Sequence, residues 1–252
     1  MIEAIAAGVR NLQLFDGVAD ETIRNLMRAG YDQSFPPLVT LIHEGTPADF
    51  LHIVVEGMVE LYAGTNQREA TMAVARPIST FILAASVRDA PYLMSARTLQ
   101  RSRILLIPSA DLRAAIATDS RFANNVMLEL AGCYRSMVRH TKNLKLRNTR
   151  ERIAAYLLRQ SRILGNVPGF ILPVEKRILA SYMGMTPENL SRALKSLAED
   201  GCKIDGQRII ITDRAKFEAL AQLSPMLDGP DPEVAQAGVS LPLALSDEQK
   251  TA

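Results

Sequence analysis

The stretch Leu172–Thr212, LPVEKRILASYMGMTPENLSRALKSLAEDGCKIDGQRIIIT, decides the fold. Its first part predicts a helix over about Glu175–Met183, with Ile178, Leu179, Tyr182 and Met183 on one apolar face. Gly184 breaks that helix. Thr186 then suits an N-cap, and Pro187 the first helical position, where its missing N–H leaves no hydrogen bond unmade. The second helix places Leu190, Ala193, Leu194 and Leu197 at i, i+3, i+4 and i+7, facing a small core. Its opposite, N-terminal face presents Glu188, Asn189, Ser191, Arg192 and Lys195. The segment Lys203–Ile211 carries Asp205-Gly206 between apolar runs, a short-range hairpin signal. Helix, tight turn, helix and hairpin in this order describe a winged helix-turn-helix, whose second helix enters the DNA major groove.

Composition bounds the rest. The 252 residues allow two domains, and 48% hydrophobic with 22% charged residues describes a globular chain. A net charge of +2 is no general basic excess, so local clusters must carry any affinity for DNA. No apolar run reaches the roughly 18–20 residues of a membrane span. The start, MIEAIAAGVRNLQLF, lacks the basic flank and apolar length of a signal peptide, so the expected location is the cytoplasm with no membrane partner. Cys133 and Cys202 match no disulfide framework and no iron–sulfur or zinc spacing.

Upstream, residues 1–30 predict a helical lead-in packed through Val18, Ile23, Leu26 and Met27. From Tyr31 to Pro108 short β-rich pieces (Val39–Ile42, Leu51–Val55, Met58–Tyr62, Ala70–Ala75, Leu93–Thr98, Arg103–Ile107) alternate with turns, predicting a small β-barrel or roll. The longest periodic segment follows, from Ser120 to Arg147. Val126, Leu130, Cys133, Met137, His140 and Leu144 alternate by four and three, an a/d seam that predicts a dimer contact with the same helix of a second subunit. A basic run, Lys142–Arg150, ends in an N-cap at Asn148 or Thr149. The expected division is residues 1–119 as a β-roll sensor with flanking helices, 120–147 as a dimerisation helix, 148–223 as the winged helix-turn-helix, and 224–252, rich in Pro, Gly, Asp and Ala, as a disordered extension. The fold class is α+β.

This order of parts, over about residues 10–222, resembles the cyclic-AMP receptor/fumarate–nitrate regulator (CRP/FNR) superfamily of bacterial transcription factors. In the roll the resemblance rests on Leu41-Ile42-His43-Glu44-Gly45 followed by Leu51–Leu61 with Gly57, and in the C-terminal half on the helix-turn-helix. Glu188, Ser191 and Arg192 are similar to the E-x-x-S-R of the fumarate–nitrate branch, whose helices read TTGAT-type half-sites in an inverted repeat. The chemistry agrees, since Arg donates to guanine O6 and N7, Glu accepts from cytosine N4, and Ser does either. Asn189, Lys195, Arg208 and Thr186 are then expected on the DNA backbone. The resemblance implies a homodimer, double-stranded DNA and RNA polymerase as partners, and no enzymatic activity.

The sensor departs from the cyclic-AMP receptors, which carry a Gly-Glu pair and, ten residues beyond the glutamate, an Arg. Here Leu83 and Ala84 stand at the pair and Met94 at the Arg, with Tyr92 nearby, so this effector pocket is expected to refuse cyclic AMP. What remains is similar to the nitric-oxide-responsive denitrification branch, which implies haem as the receptor. Candidate ligands are His140, on the seam, and His43 and His52, both expected at the surface near strand ends. Two other readings compete. One is a DNA-binding regulator with a vestigial, effector-independent sensor, and the other a cupin-like enzyme on His43, Glu44 and His52, which lack a third histidine.

Overall fold

The computed structural model describes residues 8–65, 68–229 and 239–240. They form two compact units, one of Met1–Ser136 with Asp231–Leu241, the other of Met137–Pro230 with Pro242–Ala252. In the first unit a 3-10 turn, Gln13–Phe15, and helix α1 (Asp20–Ala29) lead into strands β1 (Tyr31–Phe35), β2 (Thr40–Ile42), β3 (Phe50–Glu56), β4 (Val59–Thr65), β5 (Arg68–Ala75) and β6 (Ser79–Phe81). A short helix α2 (Leu83–Arg88), strands β7 (Ser95–Thr98) and β8 (Ser102–Pro108), and helices α3 (Ser109–Thr118) and α4 (Ser120–Leu146) follow. All six expected strands are present. Two were not foreseen: β1, whose YDQSF has little apolar alternation, and β6, only three residues long.

Two antiparallel sheets make the roll, in the orders β1-β8-β3-β6 and β5-β4-β7-β2, with Val239–Ser240 pairing on the edge of β5. Strand β3 explains how they assemble. Its side chains alternate between two faces, and both are covered. Leu51 and Ile53, with Leu105 and Ile107 of β8, face a helical layer that includes Ile23, Leu26, Leu112, Phe122 and Val126. Val54, with Ile104, faces inward to Val59, Leu61, Ala75, Phe81 and Ala96. Gly57 turns β3 into β4 with φ +92°, and a Cβ there would lie 2.3 Å from the Ser102 hydroxyl, so only glycine fits. On the outer face of the second sheet Glu60 is buried by accepting hydrogen bonds from Thr71 Oγ1 (2.6 Å) and Arg97 Nε (2.8 Å).

In the second unit Asn148 caps helix α5 (Thr149–Ile163). Its Oδ1 accepts from the Arg150 and Glu151 backbone N–H groups, and the Glu151 carboxylate returns a bond to the Asn148 N–H at 2.9 Å. Strand β9 (Gly169–Ile171), helices α6 (Lys176–Tyr182) and α7 (Pro187–Ser196), strands β10 (Cys202–Asp205) and β11 (Arg208–Ile211) and helix α8 (Arg214–Ala221) complete the module. Asp205 pairs with Arg208, so the two-residue wing turn is Gly206-Gln207, one position later than expected; Gly206 takes the positive φ of +55°.

Two expectations change. The compact units divide after Ser136, inside α4, rather than at Asn148, because the last turns of α4 pack with the C-terminal unit. Within residues 224–252, expected to be without structure, Pro225–Asp228 forms a short helix, α9, held by an ion pair between Asp228 and Arg147, and Val239–Ser240 pairs with β5. The rest of that extension, 230–238 and 241–252, lies outside the described residues.

Candidate nucleic-acid interface and sensor interior

The turn between α6 and α7 depends on Gly184, at φ +69°. Thr186 then caps α7, its hydroxyl accepting from the Asn189 N–H at 3.3 Å. Beneath α7, Leu190, Leu194 and Leu197 are fully buried together with Ile178 and Leu179 of α6. That packing leaves Glu188, Asn189, Ser191, Arg192 and Lys195 exposed along one edge, as their spacing predicts. Asn189 has a role its spacing did not show. Its Oδ1 accepts from Arg192 Nη2 at 2.5 Å, which holds the guanidinium over the first turn. The Glu188 carboxyl is held below its ordinary range, first by its own backbone N–H, then by the Thr186 hydroxyl, with the Arg192 charge adding. The Thr186 hydroxyl therefore already serves the helix start. On the wing Arg208 is exposed, and so is Lys203 of the adjoining strand, which the sequence reading passed over.

The long helix corrects the expected seam. Val126 is 3% exposed and belongs to the first unit's own core, with Leu130 packed against it. These two positions are therefore used within the chain. Cys133 is half-buried, and burial pushes its thiol up to about 11. Met137 and Leu144 are exposed, while His140 Nδ1 lies 2.6 Å from the Tyr182 hydroxyl of α6. Burial raises the Tyr182 phenol and lowers His140, which favours a hydrogen bond between two neutral groups. The solvent-facing apolar stripe on α4 runs instead through Met127, Ala131, Tyr134 and Val138, again spaced four, three, four. That second register, one residue on, was available in the sequence. What hid it was that the helix has two apolar faces.

The expected effector residues do not converge. Leu83 points into the helical layer, Ala84 is exposed on α2, and only Tyr92 and Met94 border the roll interior. The Tyr92 hydroxyl donates to the Phe50 carbonyl at 2.9 Å. Arg97, three residues beyond Met94, is engaged on Glu60 (2.8 Å), Glu69 (3.0 Å) and the Tyr62 ring (4.2 Å).

Among the histidines, His43 is exposed at a turn as expected. His52 is not a surface residue. It shares the parity of Val54 on β3 and lies inside the roll, its ring centroid 5.0 Å from that of Phe81 and 6.2 Å from that of Tyr92. Burial depresses it to about 4, and its Nδ1 has no hydrogen-bond partner. Both faces of β3 are buried, so no local pattern in the sequence marks His52 as an interior residue. A porphyrin does not fit on that nitrogen as the interior stands. Phe81, Val54, Ile104 and Ala96 are fully buried there, and the Phe81 and Tyr92 rings flank the imidazole. Among the described residues no group of three or more His, Cys, Asp or Glu could hold a metal ion, and His43 and Glu44 lie exposed at a turn while His52 is buried inside the roll. No described helix is long and apolar enough to cross a membrane.

Residues 32–119 match the cyclic nucleotide-binding domain family, and residues 151–220 match the Crp-like helix-turn-helix domain family. The chain belongs to the CRP/FNR family of transcription regulators. A CRP-like cAMP-activated global transcriptional regulator of Mycobacterium tuberculosis is 24% identical to this CRP/FNR-family chain over 215 residues, 83% of this chain and 96% of the relative. A solved regulatory protein from Silicibacter pomeroyi, described as a candidate for cAMP binding, is 26% identical with a TM-score of 0.56, covering 88% of this chain and all of the other. FixK2 of Bradyrhizobium japonicum, at 24% identity, shares the fold of this regulator with a TM-score of 0.66, over 77% of this chain and 98% of its own.

Proposed function

We propose that this regulator acts in the cytoplasm as a homodimer on an inverted repeat of TTGAT-type half-sites, recruiting or excluding RNA polymerase there, under control other than by a cyclic nucleotide. The observation that carries the DNA reading is the exposed edge of α7. Glu188, Ser191 and Arg192 stand free of the core that Leu190 and Leu194 fill, and the Asn189 carboxamide pre-orients the arginine. Arg192 is assigned to a guanine edge, Glu188 to cytosine N4 and Ser191 to either neighbour. Lys195 and Arg208, with the α7 N-terminus that Thr186 and Asn189 organise, are assigned to phosphates. The apolar stripe on α4 supplies the second copy, which sets two recognition helices about one DNA turn apart. Arg192→Ala should weaken binding to the repeat by about 1–3 kcal/mol and relax discrimination at one base pair per half-site. Unchanged affinity and unchanged base preference in a competition assay would remove α7 from the interface.

For control, the filled interior of the roll supports a sensor unit that works without a ligand. The relatives' names speak of cyclic AMP for those proteins. By correspondence with the family's cassette, Ala84 and Met94 stand where a glutamate would meet the ribose and an arginine the phosphate, and an unpaired buried phosphate would cost several kcal/mol. Nitric oxide sensed through haem, in the service of nitrogen-oxide metabolism, is the second reading. It rests on the resemblance alone, since a porphyrin on the unpartnered Nδ1 of His52 would have to displace the Phe81 and Tyr92 rings that flank the imidazole. Haem titrated into the purified dimer separates the two. A Soret band lost in His52→Leu, with a nitric-oxide effect on promoter binding, supports haem; no band and no effect support the ligand-free sensor.

A further inference from the structure

The strongest side-chain cluster outside the DNA-reading edge lies where α4 meets α5. Arg147 follows the last residue of α4 and precedes the cap of α5, and its side chain is only 4% exposed. Its guanidinium donates to both carboxylate oxygens of Asp228 (2.8 and 2.5 Å), to Asn143 Oδ1 (3.1 Å) and to the Gln222 carbonyl (2.9 Å). Asp228 is itself fixed. Its Oδ2 accepts from the Ser224 N–H at 2.8 Å, and its carbonyl accepts from Arg162 Nη1 at 2.9 Å. The next carbonyl, Gly229, accepts from Arg139 Nη1 at 3.4 Å. The segment Ser224–Gly229 thus bonds to α4, to the junction and to α5, while Arg147 also ties the junction to the Gln222 carbonyl at the end of α8. The segment lies beyond residue 220, where the match to the DNA-binding family ends.

We propose that Ser224–Gly229 is a clasp that fixes the angle between the last turns of α4 and helix α5, with Asp228 as the latch on Arg147. The physical reason is the asymmetry of buried pairs. A buried guanidinium whose carboxylate is removed is left uncompensated, so the junction must open to rehydrate it. For a symmetric reader the angle at this junction decides whether two recognition helices meet successive major grooves. The clasp is therefore a point at which the C-terminal extension sets DNA affinity. This step rests on the dimeric DNA reading proposed above.

The test uses the full chain as parent, Asp228→Ala, Asp228→Asn, and the exchanged pair Arg147→Asp/Asp228→Arg. Hydrogen exchange of amides 143–152 should rise at least about tenfold in both single variants, while amides 188–196 of α7 keep their protection. The exchanged pair should recover part of it, the coupling expected of direct partners. Affinity for the inverted repeat should fall about tenfold with base preference unchanged. Unchanged exchange at 143–152, or an equal rise throughout 137–229, overturns the clasp. So does a local rise with parental DNA affinity. If Asp228→Ala does not fold, Asp228→Asn, which keeps the shape and loses the charge, decides by the same criteria. A parent that fails to bind the repeat refutes the DNA reading instead, and the exchange measurements still judge the clasp.

Discussion

The register of the α4 contact can be decided by one substitution. Tyr134 is 70% exposed and lies between Met127, 61% exposed, and Val138 on the same stripe. A tyrosine side chain offers about 200 Å² of surface, so about 140 Å² on each subunit is available for a partner to cover. At about 25 cal/mol per Å² that is worth about 3.5 kcal/mol per subunit. Alanine keeps a minor part of it, so Tyr134→Ala should cost the dimer about 5 kcal/mol in total, or about three and a half orders of magnitude in Kd. Sedimentation equilibrium over a dilution series measures it. Val126→Ala is the control, because Val126 is 3% exposed in the core of its own subunit. It should lower the melting temperature, by about 2 kcal/mol of stability, and leave the dimer constant unchanged. A shift below about tenfold for Tyr134→Ala, or a larger dimer effect from Val126→Ala, would refute the stripe and restore the seam through Val126 and Leu130.

Two further substitutions probe the roll. His52 is held neutral at about 4, against 6.5 for the ring in an unfolded chain. As pH falls from 6.5 towards 4 the unfolded state takes up a proton that the folded state refuses, so stability is present above 6.5 and lost on acidification, by about 3 kcal/mol at full extent. His52→Phe should flatten the dependence of the melting temperature on pH across this window. The same slope in both proteins would show that His52 is not the group responsible. Gly57→Ala combines a positive φ with a Cβ 2.3 Å from Ser102 Oγ and 2.5 Å from the Arg101 carbonyl, and should cost about 3 kcal/mol or more in chemical denaturation. A loss under about 1 kcal/mol would mean that the turn relaxes freely.

The output end of the molecule was legible because each of its signals is local. Thr186, Pro187 and Gly184 set the helix boundaries within a few residues, and the i, i+3, i+4 pattern of Leu190, Ala193 and Leu194 left only one face for the polar side chains. The sensor end was not, because its burial is tertiary. Both faces of β3 are covered, so Leu51-His52-Ile53-Val54 gives no alternation of polarity, and His52 looks like a strand-end residue until Phe81 and Tyr92 close over it. Leu83, Ala84 and Met94 were placed by correspondence with a binding cassette, and the chain sends them to three different surroundings. The Asp228 latch pairs residues 81 positions apart, a contact no local pattern announces.

The two apolar faces of α4 also constrain how this chain can change over evolutionary time. Phe122, Val126 and Leu130 serve the subunit, Met127, Tyr134 and Val138 serve the surface, and the two sets interleave with an offset of one residue. One residue inserted between Val126 and Tyr134 would rotate everything beyond it by about 100°, carrying the stripe out of phase with the face that anchors the helix. Seven inserted residues would turn it by only about 20°. Length variation along this rod should therefore come in whole heptads, whereas side chains on either face remain free to drift.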